Sequence, residues 1–224
     1  FSIINAFHNS SFVLILKCLF QSDLIVMSSE EDQNSEFQNV IEGVLTKKSL
    51  IKIVDTRSQD QLRNKGFGDK EDDDFLLETY EALYLLYLNK LVITNGSIDN
   101  FGSLLKHVLK YDKEIVTRFL VYRDLRSRGY VVKEGFGFGV DFRVYERGEY
   151  EKKRAKYVVF CINEGINVKV GELSKNVREI ETMGKNAIAA VVERRGEIIY
   201  YKLTNMKFKE NKKQETTLTL KERK

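Results

Sequence analysis

Between Ile115 and Leu125 the apolar residues Ile115, Phe119, Tyr122 and Leu125 step by four, three and three, which lays one stripe along a helix. Gly129 stands where a residue of positive φ ends such a helix, so the pattern predicts a helix over 112–129. Arg123, Arg126 and Arg128 fall on its other faces. Strand-like runs follow: YVVKE, VDFRVYE and KYVVFCI, then AIAAVV and EIIYYKL. Between the third and fourth lies a second helix, near Glu172 to Met183, with Leu173, Val177 and Ile180 on one face and Gly184 closing it. Helix, three strands, helix, two strands is the order of a mixed-sheet α/β domain, expected over 112–208.

The preceding stretch reads as a smaller α/β domain over 37–111. The alternation in FQNVIEGVLTKKSLIKIVD predicts two short strands around the polar turn Thr46–Ser49. Thr56 to Asp74 is polar, with Gly66 and Gly68, and reads as a loop. In FLLETYEALYLLYLNK, Leu83, Leu86, Tyr87 and Lys90 fall at helical spacing. A strand, LVIT, ends at Asn95-Gly96, and residues 99–111 make another amphipathic helix with Phe101, Leu104, Leu105 and Val108 inward. The fold class is therefore α/β (α+β), with no internal repeat.

Residues 1–36 are expected to be upstream sequence or a disordered extension. The apolar stretch Phe12 to Phe20, broken by Lys17, is too short to span a bilayer and lacks the basic flank of a signal peptide. Met27 then opens the acidic, Ser-rich MSSEEDQNSE. The tail over 209–224 is polar and reads as disordered.

Composition narrows the chemistry. A formal charge of +4 on 224 residues gives no global field for nucleic acid, so any basic surface must be local. Two cysteines, Cys18 and Cys161, and two histidines, His8 and His107, have no metal-ligand spacing, which argues against a metal centre and points to a reducing, cytoplasmic setting. The glycines of EGFGFG precede no helix and no GK[ST], so they read as a hairpin turn or bulge, not a phosphate loop.

The text FLVYRDLRSRGYVVKEGFGFGVDFRVYERG, then KYVVFCI, NVREIETMGKN and EIIYYKL resembles the catalytic domain of archaeal tRNA-splicing endonucleases, the tRNA-intron endonuclease family. YEALYLLYLNKLVI is similar to the Leu-rich helix of that family's N-terminal domain. The resemblance covers roughly residues 38–208 and implies a restriction-endonuclease-like C-terminal domain. It implies excision of introns from precursor tRNA at bulge-helix-bulge sites, without metal or other cofactor. The RNA's own 2′-hydroxyl attacks, leaving a 2′,3′-cyclic phosphate and a 5′-hydroxyl. Such cleavage needs a base, an acid for the leaving oxygen and positive charge on the transition state.

The family supplies these with a Tyr, a His and a Lys. The Tyr falls on Tyr145 and the Lys on Lys185; where the His is expected, in EKKRAKY, stands Arg154. Arginine holds its proton above pH ~12 and cannot serve as a general acid near neutrality, although it can bind phosphate. The resemblance also assigns Arg178 and Tyr200 to a sandwich around a bulged base. It implies association with a second endonuclease subunit, as a heterotetramer of two pairs, or self-association. The missing His points to the non-catalytic partner; a substitute acid such as Tyr150 is the other branch.

Each residue also has a plainer reading. Tyr145 suits any strand, Lys185 any helix C-terminus, and Arg178 any helix surface, paired with Glu179 or Glu181. Tyr200 and Tyr201 face opposite sides of one strand, and either could be core. Lys152, Lys153 and Arg154 read as a solvated loop. The alternative function is a metal-dependent restriction-like nuclease with Asp141 as first ligand, yet KYVVFCI offers no acidic-x-Lys to follow it.

Overall fold

The computed structural model describes residues 39–206, apart from 95 and 97. The expectations for 1–36 and 209–224 lie outside them. No helix among the described residues is long and apolar enough to cross a membrane.

The first sheet holds β1 (Ile41–Leu45), β2 (Ile51–Ile53), β3 (Asp69–Glu71), β4 (Asp74–Leu77) and β5 (Leu91–Ile93), in the order β3-β4-β2-β1-β5. β1 pairs antiparallel with β2 and parallel with β5. Helices α1 (Thr56–Asn64), α2 (Thr79–Tyr87) and α3 (Phe101–Val108) accompany it.

The stretch from Thr56 to Asp74, read as a loop, is thus a helix and a hairpin. α1 buries Leu62 alone, so it carries no apolar stripe to read. Its signal is the cap: Asp55 Oδ2 accepts the Ser58 amide at 2.9 Å and the Ser58 hydroxyl at 2.8 Å. β3 is exposed throughout, which hides it from any alternation. The FLL that opens FLLETYEALYLLYLNK lies in β4, with Phe75 and Leu77 buried on one side.

The second sheet runs β10-β9-β8-β7-β6, from β6 (Val131–Gly137), β7 (Val140–Tyr145), β8 (Tyr157–Asn163), β9 (Asn186–Val192) and β10 (Ile198–Leu203). All neighbours are antiparallel except β8 and β9, whose parallel pairing is bridged by α5 (Val170–Thr182). α4 (Ile115–Ser127) covers one face and α5 the other. Val177 and Ile180 of α5 pack on Val158, Phe160 and Ala187.

α4 is buried on more than the one predicted stripe: Val116, Thr117, Leu120 and Val121 are covered as well. It lies between α2 and the second sheet, so both of its sides face apolar partners. Tyr80 of α2 stands 5.0 Å, ring to ring, from both Tyr122 of α4 and Phe142 of β7. One apolar cluster consequently runs from Ile41 in the first sheet to Val192 in the second. The arginines of α4 serve this seam. Arg126 donates to the Lys65 carbonyl and lies 3.9 Å over the Phe67 ring, and Arg123 lies over Tyr87.

The seam also buries charge. Glu81 and Lys133 are each 2% exposed. The Lys133 ammonium donates to Gly68 O at 2.5 Å and meets Asp69 Oδ2 at 2.9 Å. Glu81 accepts the amides of Gly68 and Glu78. Burial pushes the Glu81 carboxyl up to about 7, opposed by Lys133 and those two amides.

Candidate active site

β7 ends where β8 and β9 begin: Val144 pairs with Tyr157, and Tyr157 with Asn186. Three segments therefore meet at one end of the sheet, carrying Tyr145, Arg154 and Lys185. An open cleft of about 500 Å³ lies there, lined by Glu146, Arg154, Met183 and Lys185 among others. Lys185 Nζ donates to the Ala155 carbonyl at 3.0 Å, which fixes the amine beside the Arg154 segment. Partial burial, then the positive charges of Arg154 and Arg143, hold the Lys185 amine below the usual lysine range. A site that crowds cations this way is one that an anion would relieve.

The acidic side chains of the cleft are already engaged. Glu146 Oε1 takes the Lys156 ammonium at 2.6 Å, which holds its carboxyl below the usual range. Glu149 takes Lys153. Tyr150 packs edge-on to Tyr145, ring centroids 5.2 Å apart, with the Lys133 ammonium 5.9 Å from its own ring. Burial, then the nearby Asp69, push the Tyr150 phenol up to about 12.

The structure does not bring Arg178 and Tyr200 together. Side chains alternate along β10. Tyr200 packs with Ala190, Val192 and Ile198 on the α4 face. Its hydroxyl donates to Asp124 Oδ2 at 2.7 Å, a carboxylate also held by Arg128. Burial and this bond push the Tyr200 phenol up. Arg178 is exposed on α5, across the sheet, where Nη2 reaches Ser174 Oγ at 3.5 Å, and no ion pair joins it to Glu179 or Glu181. The aromatic on the α5 side of β10 is Tyr201, 51% exposed, which the sequence reading left open between core and surface.

Tyr200→Phe should accordingly lower stability by about 1.5 kcal/mol through the lost bond to Asp124 and leave RNA affinity unchanged. Arg178→Ala should weaken bulged RNA by about 1–3 kcal/mol with little change for paired RNA. Melting curves and titrations of both RNAs check this; equal weakening of the two RNAs by Arg178→Ala would make Arg178 an ordinary surface charge.

Asp141 Oδ2 accepts the Cys161 amide at 2.7 Å, joining β7 to β8, and burial raises its carboxyl. Among the described residues no three His, Cys, Asp or Glu side chains gather where a metal ion could be held.

Comparison with known proteins agrees with this layout. Residues 115–200 match the tRNA intron endonuclease catalytic C-terminal domain, and residues 41–105 match the tRNA intron endonuclease N-terminal domain. The chain is 34% identical over 161 residues to a tRNA-splicing endonuclease of Methanococcus vannielii, covering 70% of this chain and 90% of that protein. A tRNA-splicing endonuclease of Thermococcus onnurineus is 33% identical over 150 residues, 66% of this chain and 86% of its own length. With two helix-flanked mixed sheets and both halves matched, the chain belongs to the tRNA intron endonuclease family.

Proposed function

We propose that the chain excises introns from precursor tRNA at bulge-helix-bulge sites as the non-catalytic partner within an active endonuclease complex. The observation that carries this reading is the cleft at the ends of β7, β8 and β9. Lys185 and Arg154 line it and offer two cations to a phosphate, beside the end of β7 that carries Tyr145. No described side chain around it is placed to release a proton near neutral pH. Its carboxylates are tied to lysines, and Tyr150 holds its proton to about 12.

The cleavage is metal-independent, with the RNA 2′-hydroxyl as nucleophile, and takes place in a His-containing second subunit, while Lys185 of this chain binds an RNA phosphate. Arg154 binds phosphate and donates no proton to the leaving 5′-oxygen. That second subunit carries its own acid and joins this chain in a heterotetramer of two pairs. β10 is an edge strand with Ile199 and Tyr201 exposed, which suits strand-to-strand association. The loop Glu193–Glu197 instead turns Arg194 onto Glu164 of its own chain at 2.9 Å, so docking by an acidic loop is not expected here.

The isolated chain should cleave a bulge-helix-bulge RNA poorly, and mixing with a His-containing partner should restore cleavage. Rapid cleavage by the chain alone would sink the partner role.

A further inference from the structure

The hairpin joining β6 to β7 carries two phenylalanines at its tip, Phe136 and Phe138, which are 36% and 44% exposed. Their rings stand 6.3 Å apart at 76°, an edge-to-face pair that is part exposed to solvent. Exposed aromatic rings on a hairpin usually sit on a mobile tip, but this one is fixed. The register shifts between Glu134 and Gly137, and a Cβ on Gly135 would lie 1.9 Å from the Val140 carbonyl oxygen, so only glycine permits that approach. Asn176 of α5 donates its side-chain amide to the Phe138 carbonyl at 2.8 Å. Phe138 holds φ +56°, a left-handed conformation that a glycine or asparagine would adopt with less strain. Strain and solvent exposure at one phenylalanine, held from both sides, are not what packing alone would select.

The neighbour of this tip is the cleft. Lys185 Nζ lies 5.9 Å from the Phe136 ring centroid while bonded to the Ala155 carbonyl. Arg143 sits close enough to Lys185 to depress its amine, and its own Nε donates to Glu134 O, just ahead of the hairpin tip. Rings therefore border a cluster of Lys185, Arg143 and Arg154. Aromatic faces beside cations are what a strand with unstacked bases requires: the cations take the phosphate, and a ring takes the adjoining base. A protein partner would have to place both an apolar contact and carboxylates here, whereas every nucleotide of RNA brings a phosphate beside its base.

We propose that Phe136 and Phe138 form a stacking site for an unpaired nucleobase next to the phosphate held at Lys185. This rests on the RNA-cleaving role proposed above. The site is distinct from Arg178 and Tyr201, because Arg178 turns toward Ser174, and the Ser174 hydroxyl contacts Asn205 after β10, while the hairpin meets α5 through Asn176. The two groups would engage different nucleotides.

The test uses the assembled protein in EDTA and three RNAs: a bulge-helix-bulge RNA, the same RNA abasic at its unpaired positions, and a fully paired control. Phe136→Leu and Phe138→Leu keep apolar volume and remove the ring; Phe136→Tyr keeps the ring. The Leu variants should bind the bulged RNA about 5- to 150-fold more weakly and the abasic RNA as the parent does. Phe136→Tyr should bind both normally, and sedimentation should show the same assembly for all. Leu variants that keep full affinity for bulged RNA, in a protein that prefers it over the paired control, overturn the stacking site alone. Leu variants that lose assembly, with RNA affinity falling alike for all three RNAs, overturn it in favour of a subunit contact. A parent protein that binds bulged and paired RNA equally overturns the proposed function and this site with it.

Discussion

Arg154→His should raise the rate at which the isolated chain cleaves bulge-helix-bulge RNA by about 10²–10⁴-fold, the usual yield of a positioned general acid. The physical case is local. Arg154 adjoins Ala155, whose carbonyl anchors Lys185, and both cations line one cleft, so a side chain at 154 opens onto the same space as the Lys185 amine. An imidazole there titrates near pH 6.5 when unperturbed, and the cations around it move it lower, which makes it a stronger acid when protonated. The new activity should therefore rise as pH falls toward 6, whereas the parent has no such limb. Lys185→Ala placed on Arg154→His should abolish the gain. If Arg154→His cleaves no faster than the parent, the cleft lacks more than an acid.

Lys133→Met should destabilise the protein by about 3–5 kcal/mol, because it removes one member of a buried charged group and leaves the other without its cation. Lys133 comes from β6 and Glu81 from α2, so the loss falls on the seam between the two sheets. The effect has a pH signature. The Glu81 carboxyl, ordinarily near 4.5, is raised to about 7 in the folded protein, so the native state binds more protons than the unfolded one across that window. Stability from this group is full below 4.5 and declines as pH rises through about 7. Without Lys133 the folded value climbs further, so Lys133→Met should cost least near pH 4.5 and most above pH 7. The double variant with Glu81→Gln should recover much of the loss at pH 8, since no buried carboxylate then remains. Denaturant melts at two pH values decide it; a penalty independent of pH would show that Lys133 acts by packing alone.

The second sheet and its two helices were legible because their residues carry strong periodicity: four and three along α4, alternation along β7, and glycines at 129 and 184 with positive φ where the helices end. α1 and β3 were not, for an equally physical reason. A helix that buries only Leu62 and a strand that buries nothing leave no apolar rhythm, and α1 announces itself only through Asp55 and Ser58. The site positions Tyr145, Arg154 and Lys185 could be placed by resemblance, but their meeting point depends on the parallel pairing of β8 with β9, which no local pattern states. Tyr200 and Tyr201 show the limit most sharply. Adjacent residues on a strand face opposite ways, and only the register with Ala190 and Ala189 says which of them joins Asp124.

The sandwiching of α4 has a consequence for how the chain is made. A ribosome delivers the first sheet and α2 well before β7 and β9, yet Tyr80 and Tyr84 of α2 find their partners in Tyr122 and, for Tyr80, Phe142. Phe67 stacks on Tyr84 within the first half, but the Tyr80 and Tyr84 contacts to Tyr122 and Phe142 must wait for later residues, so part of this apolar face leaves the exit tunnel uncovered. That face is completed only by residues of α4 and of the second sheet as far as Val192. Nascent chains stalled before Ile115 should be clients of ribosome-bound chaperones, and those stalled well beyond Leu203 should not.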